Sequence, residues 1–208
     1  NTAWAFATLG IDDVPLMRVL GKKILEQNFL PKFSSQELSN TIWAYATLGF
    51  VDELLMARLA VEIIQSHKLE TFNPQELAIT AWAFATLNSA AGPSAEVLSQ
   101  WSMQDGFMSH FTQTAQGTGP EQNAAALVLF GIQNAVVMEA IANRLMTDVV
   151  LLSFDPQSIS NTLWAYASLS ILNEPLMEAF TDRLLDPGIL EACTAQGVSN
   201  IAWAFARL

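Results

Sequence analysis

A chain of 208 residues in which 51% are hydrophobic and 14% charged has ample apolar surface for a packed core and lies far from the composition of a disordered segment. Nine basic against 20 acidic residues give a formal charge of −11, which repels phosphate backbones unless the few cations gather on one surface. Cys193 is the single cysteine, so an internal disulfide framework and a cysteine-rich zinc site within this chain are excluded, and no apolar run reaches the roughly 18 residues of a membrane span.

The predicted elements follow a period. Trp4, Trp43 and Trp82 stand 39 residues apart, as do Trp164 and Trp203, while Trp82 and Trp164 are separated by four residues more than two periods. In chain order, a first helix is already under way at Asn1-Thr2-Ala3-Trp4 and stops at Gly10. A second helix starts at Asp13, holds Pro15 just inside, and lays Leu16, Leu20 and Ile24 along one face. The next first helix opens on Ser34 with Glu37 three residues on, a capping-box spacing, and ends at Gly49; its partner runs from Asp52 with Leu55, Leu59 and Ile63 as its buried stripe. A third opens on Asn73-Pro74 with Glu76 and carries Trp82.

Beyond it the pattern predicts a degenerate repeat with Ala125 at the tryptophan position, because Ala126 to Gly131 parallels Ala44 to Gly49. Phe33, Phe72 and Phe111 keep the period and Phe154 does not, which places the extra residues in a lengthened loop over about residues 112–119, rich in Gln, Thr and Gly. Its second helix starts at Asn134 with Val137, Ile141 and Leu145. The last complete pair opens on Asp155-Pro156, carries Trp164, and continues from Asn173 with Leu176, Phe180 and Leu184; Thr194 then caps a closing first helix around Trp203. Met17, Met56, Met138 and Met177 recur at one position and widen the buried face. These elements predict an all-α fold: one right-handed α-solenoid of antiparallel helix pairs spanning 1–208, about five 39-residue repeats plus a terminal first helix. Both ends are as apolar as interior helices, so the reading expects them to be continued by further chain or covered by a partner.

The run Pro-Gln-Glu-Leu-(Ser/Ala)-Asn-Thr-x-Trp-Ala-(Phe/Tyr)-Ala-(Thr/Ser)-Leu, nearly whole in Phe33 to Gly49, Phe72 to Leu87 and Phe154 to Leu169, resembles the octotricopeptide repeat, a family abundant in algae and similar to heptatricopeptide and FAST-kinase-like organelle proteins. The resemblance covers the whole chain. It implies a nucleus-encoded protein of the chloroplast or mitochondrion that binds a particular RNA to stabilise it, process it or promote its translation; some such proteins are instead structural subunits of organelle ribosomes. Charge departs from that pattern. Arg207 is the single basic residue in the helical segments around the six tryptophan-register positions, and Arg18, Lys22, Lys23, Lys32, Arg58, Lys68, Arg144 and Arg183 fall mostly on or just after second helices. This acidic segment is therefore expected to bind RNA weakly, and an alternative is a protein–protein scaffold: an accessory structural subunit of a photosynthetic complex, a respiratory complex or a ribosome.

Four asparagines at one register, Asn1, Asn40, Asn161 and Asn200, are candidate contacts to RNA bases or to a partner. A ladder of amides bonding to the neighbouring repeat's backbone is the favoured reading, since one residue type at most repeats makes a poor code and a good seam. The periodic tryptophans could stack on bases but are read first as core. Trp101, with Met103, Phe107 and Met108, lies off the register and is either a partner surface or the filling of an irregular core. His67 and His110 stand without a second histidine or paired acid at ligand spacing, and no phosphate loop or nucleophile elbow is present, so the sequence points to neither a metal, a cofactor nor catalysis.

Overall fold

The computed structural model describes residues 2–65, 67–91 and 134–208. Ten α-helices and no strand occur among these residues: α1 (Thr2–Leu9), α2 (Val14–Ile24), α3 (Ser35–Thr47), α4 (Glu53–Gln65), α5 (Pro74–Ala91), α6 (134–145), α7 (Asp148–Leu152), α8 (Pro156–Ser168), α9 (Glu174–Leu185) and α10 (Ala195–Arg207). Short 3-10 turns at Leu30–Lys32 and Lys68–Thr71 follow α2 and α4. The chain is all-α where it is described. No described helix is long and apolar enough to cross a membrane.

Local chemistry sets the helix boundaries. The Ser34 hydroxyl accepts from the Glu37 amide, and the Glu37 carboxylate accepts in return from the Ser34 amide at 2.9 Å, which holds that carboxyl below its ordinary range. Asn73 and Glu76 form the same reciprocal pair, both bonds at 2.9 Å. Asp155 caps α8 by accepting from the Ser158 amide at 2.7 Å, and Thr194 caps α10 by accepting from Gly197. Asp13, Asp52 and Asn173 do this for α2, α4 and α9. Gly10 and Gly49 leave α1 and α3 with φ of 65° and 63°, a left-handed conformation that suits a residue without Cβ; Ser170 takes φ 55° at the matching point after α8.

The helices fall into two sets. α1, α3, α5, α8 and α10 pack one upon the next, while α4 pairs with α3 and α9 with α8. Leu55, Leu59 and Ile63 on α4, Val137, Ile141 and Leu145 on α6, and Leu176 and Phe180 on α9 are fully buried, each such side chain contributing about 1.5–3 kcal/mol of transfer free energy. Ala44, Ala46, Ala83, Ala85, Ala165 and Ala167 are buried as well, and small side chains there allow adjacent first helices to approach closely.

α5 packs directly against α8, so the Trp82 helix and the Trp164 helix are neighbours. Ala125 and the loop over 112–119 lie outside the described residues. α6 completes the arrangement: Asn134 donates to Asn88 at 2.9 Å and Arg144 donates to the Glu70 carbonyl, while Tyr166 on α8 donates to Met138 on α6. The second helix next to α5 and α8 thus comes from residues 134–145.

Candidate functional site

Each first helix after α1 opens on a capping residue, which fixes its rotation and hence the face that its following residues occupy. Residues four and seven positions apart share a face. On α3 that face carries Gln36, Asn40 and Trp43; on α5, Gln75, Ile79 and Trp82; on α8, Gln157, Asn161 and Trp164; on α10, Gln196, Asn200 and Trp203. The four glutamines are exposed and the asparagines half-buried. The opposite face supplies the core, with Leu38, Ile42, Tyr45 and their counterparts.

The five described tryptophans are not interior residues. Trp43, Trp82 and Trp164 are half-buried against the core, and Trp4 and Trp203 are 43% and 42% exposed. The rings of Trp164 and Trp203 stack with centroids 6.5 Å apart. Expectation placed these side chains in the core; the structure sets them along the rim between core and solvent, where an indole keeps one surface packed and another available.

Asn40, Asn161 and Asn200 form no ladder among the described residues. No hydrogen bond ties the side chains of Asn40, Asn161 or Asn200 to any described residue, and the same is true of the amides of Gln36, Gln75, Gln157 and Gln196. The seams are held by other groups: Tyr45 to the Met17 carbonyl, Tyr166 to the Met138 carbonyl, and Arg207 to the Ala167 carbonyl at 2.8 Å. Asn1 and the cluster Trp101, Met103, Phe107 and Met108 lie outside the described residues.

A groove of about 290 Å³ opens across three first helices. Trp43 of α3 and Gln75, Ala78, Ile79 and Trp82 of α5 form one side. Gln157, Ser158 and Asn161 of α8, with the capping Asp155, form the other. Sequence reasoning missed the glutamines. Their 39-residue recurrence was readable, but at the second turn position of each first helix they pass for solvent-facing residues of a capping motif.

No family model matches the chain, and a search of curated proteins finds no relative.

The chemistry offered by this face is that of neutral amides and indole rings. Each amide presents a donor and an acceptor, and each indole a flat polarizable surface. Arg207 lies over the Trp203 ring, 5.5 Å from its centroid, and the other cations serve elsewhere. Lys68 donates to the Pro31 carbonyl and bridges Glu62, Arg144 donates to Glu70, Arg183 to the Leu152 carbonyl and Asp186, and Lys23 pairs with Glu26. Arg18, Lys22 and Arg58 are exposed on α2 and α4, and Lys32 lies in the turn after α2. His67 faces Glu70 at 3.3 Å on the surface, and among the described residues no three His, Cys, Asp or Glu side chains gather as a metal site would require.

Proposed function

We propose that the chain is a non-catalytic α-solenoid module, built on the 39-residue repeat with a right-handed winding, that binds single-stranded RNA along its row of first helices. By resemblance to octotricopeptide-repeat proteins it works in a chloroplast or mitochondrion, on RNA stability, processing or translation. The observation that carries this reading is the recurrence of an unbonded amide pair beside a half-exposed indole on α3, α8 and α10. Stacking on the ring and hydrogen bonding to the amides is how proteins take up splayed single-stranded bases. Because the amides are not engaged with neighbouring helices, a ligand gains their hydrogen bonds without breaking internal ones.

Binding of this kind relies little on phosphate neutralisation, in keeping with a charge of −11. The test is fluorescence anisotropy of labelled single-stranded decaribonucleotides with the intact chain and with Trp82→Ala. Saturable binding weakened about tenfold by the substitution is the expected result, since base–aromatic stacking accounts for about 1–3 kcal/mol per base. Absence of binding to every decamer overturns the reading.

A second reading, an acidic protein scaffold within a large organelle assembly, is favoured by one observation: five of the nine cations, Lys23, Lys68, Arg144, Arg183 and Arg207, are engaged with intramolecular partners. Native size of the complex in organelle extract separates the two. Collapse to free protein on ribonuclease treatment identifies RNA as the tether, and an unchanged assembly with stoichiometric protein partners identifies a structural subunit.

A further inference from the structure

The start of α8 differs from the starts of its neighbours in a way that capping does not require. At the N-cap register stand Ser34, Asn73, Asp155 and Thr194, and all four accept from the amide three residues on, so a neutral side chain performs this task on α3, α5 and α10. Three residues later the order reverses: α3 and α5 place Glu37 and Glu76, whose carboxylates fold back on the cap, whereas α8 has Ser158. Exchanging the long carboxylate for a short hydroxyl leaves room at the α5–α8 seam, and the groove lies there. Ser158 borders it, 5% exposed as a residue.

The groove therefore combines one carboxylate, three uncommitted amides, the Ser158 hydroxyl and the indoles of Trp43 and Trp82. Its single charge turns away phosphate, so the ligand group that enters must be neutral or cationic and must offer donors to Asp155. We propose that this groove is a nucleobase pocket that prefers guanine. Guanine presents its ring imino N–H and exocyclic amino N–H side by side, the paired-donor edge that a carboxylate accepts, and its carbonyl and ring nitrogen accept from the Gln75, Gln157 or Asn161 amides. Uracil, with two carbonyls flanking one N–H, faces the carboxylate with an acceptor. An arginine side chain shares the paired donors but has no acceptor, so it would leave the amide donors of the groove unmatched. The inference rests on the RNA reading above and adds base identity at one place on the face.

The test uses the intact chain, its Asp155→Asn variant, and uridine decamers carrying one guanosine, one adenosine, one cytidine or none, with an arginine-rich peptide as a separate probe. Asparagine retains the cap, as Asn73 does on α5, so the variant keeps α8; circular dichroism checks this. The expected result is that the guanosine decamer binds roughly tenfold more tightly than all-uridine and that D155N reduces this preference to about twofold. Binding to all decamers alike, or a guanosine preference unchanged in D155N, overturns the pocket and leaves the RNA reading standing. Binding to no decamer overturns both; if the peptide then binds and D155N weakens it, the groove is a guanidinium site of a protein-binding surface.

Discussion

The hydroxyl of Tyr166 donates to the Met138 carbonyl at 2.5 Å, and the hydroxyl of Tyr45 donates to the Met17 carbonyl at 2.7 Å, each across 28 residues of sequence and each from a first helix to a second. Both phenols are fully buried, and burial pushes their ionisation well above the ordinary value of 10.0, with the Asp52 charge adding to the effect at Tyr45. A group whose folded-state pKa is raised contributes stability that is intact below the unfolded value and is lost as pH rises beyond it. Melting temperature should therefore fall between pH 9 and pH 11 more steeply in the wild-type chain than in Tyr45→Phe/Tyr166→Phe. At neutral pH the double variant should be less stable by about 1 kcal/mol per lost bond. Phe84 holds the same register on α5, fully buried, so the ring itself fits without its hydroxyl.

Leu59 on α4 is fully buried and Val19 on α2 is 63% exposed. Leu59→Ala should cost about 2–5 kcal/mol in urea unfolding, and Val19→Ala less than about 0.5. Equal effects would mean that α4 does not pack as described.

Gly49 has a φ of 63° and open space around the position of a Cβ. Gly49→Ala thus meets no clash, and its penalty is the backbone strain alone, about 1 kcal/mol by chemical denaturation. The helical content of α3 should remain unchanged in the far-ultraviolet.

RNA affinity should depend weakly on salt. A face of amides and indoles displaces few counterions, so a plot of log affinity against log salt should have a slope shallower than about −2, whereas a single strand held by six or more phosphates gives one of about −4 or steeper. A steep slope would assign binding to the exposed Arg18, Lys22, Lys32 and Arg58 instead.

Much of the architecture was legible before any coordinates. The tryptophan period located α1, α3, α5, α8 and α10; Ser34, Asn73, Asp155 and Thr194 marked where four of them begin, and the stripes on α4, α6 and α9 are buried as their spacing predicts. These are local properties, written in adjacent turns of one helix. Neighbour choice is not local. The contact of α5 with α8 joins residues about 80 apart in the chain, and no spacing within one helix encodes it, since first helices share one packing face. The proposed binding face was half legible for a similar reason. Asn40, Asn161 and Asn200 repeat as a seam would, and only the absence of bonds to the next helix separates a seam from a surface.

The stacked indoles of Trp164 and Trp203 also form a coupled chromophore pair. Two transition dipoles at that separation split into an exciton couplet in the ultraviolet circular dichroism, and its sign and size follow the angle between the rings. A shift of α10 relative to α8 rewrites that spectrum, so the pair is a built-in optical gauge of how these two helices sit.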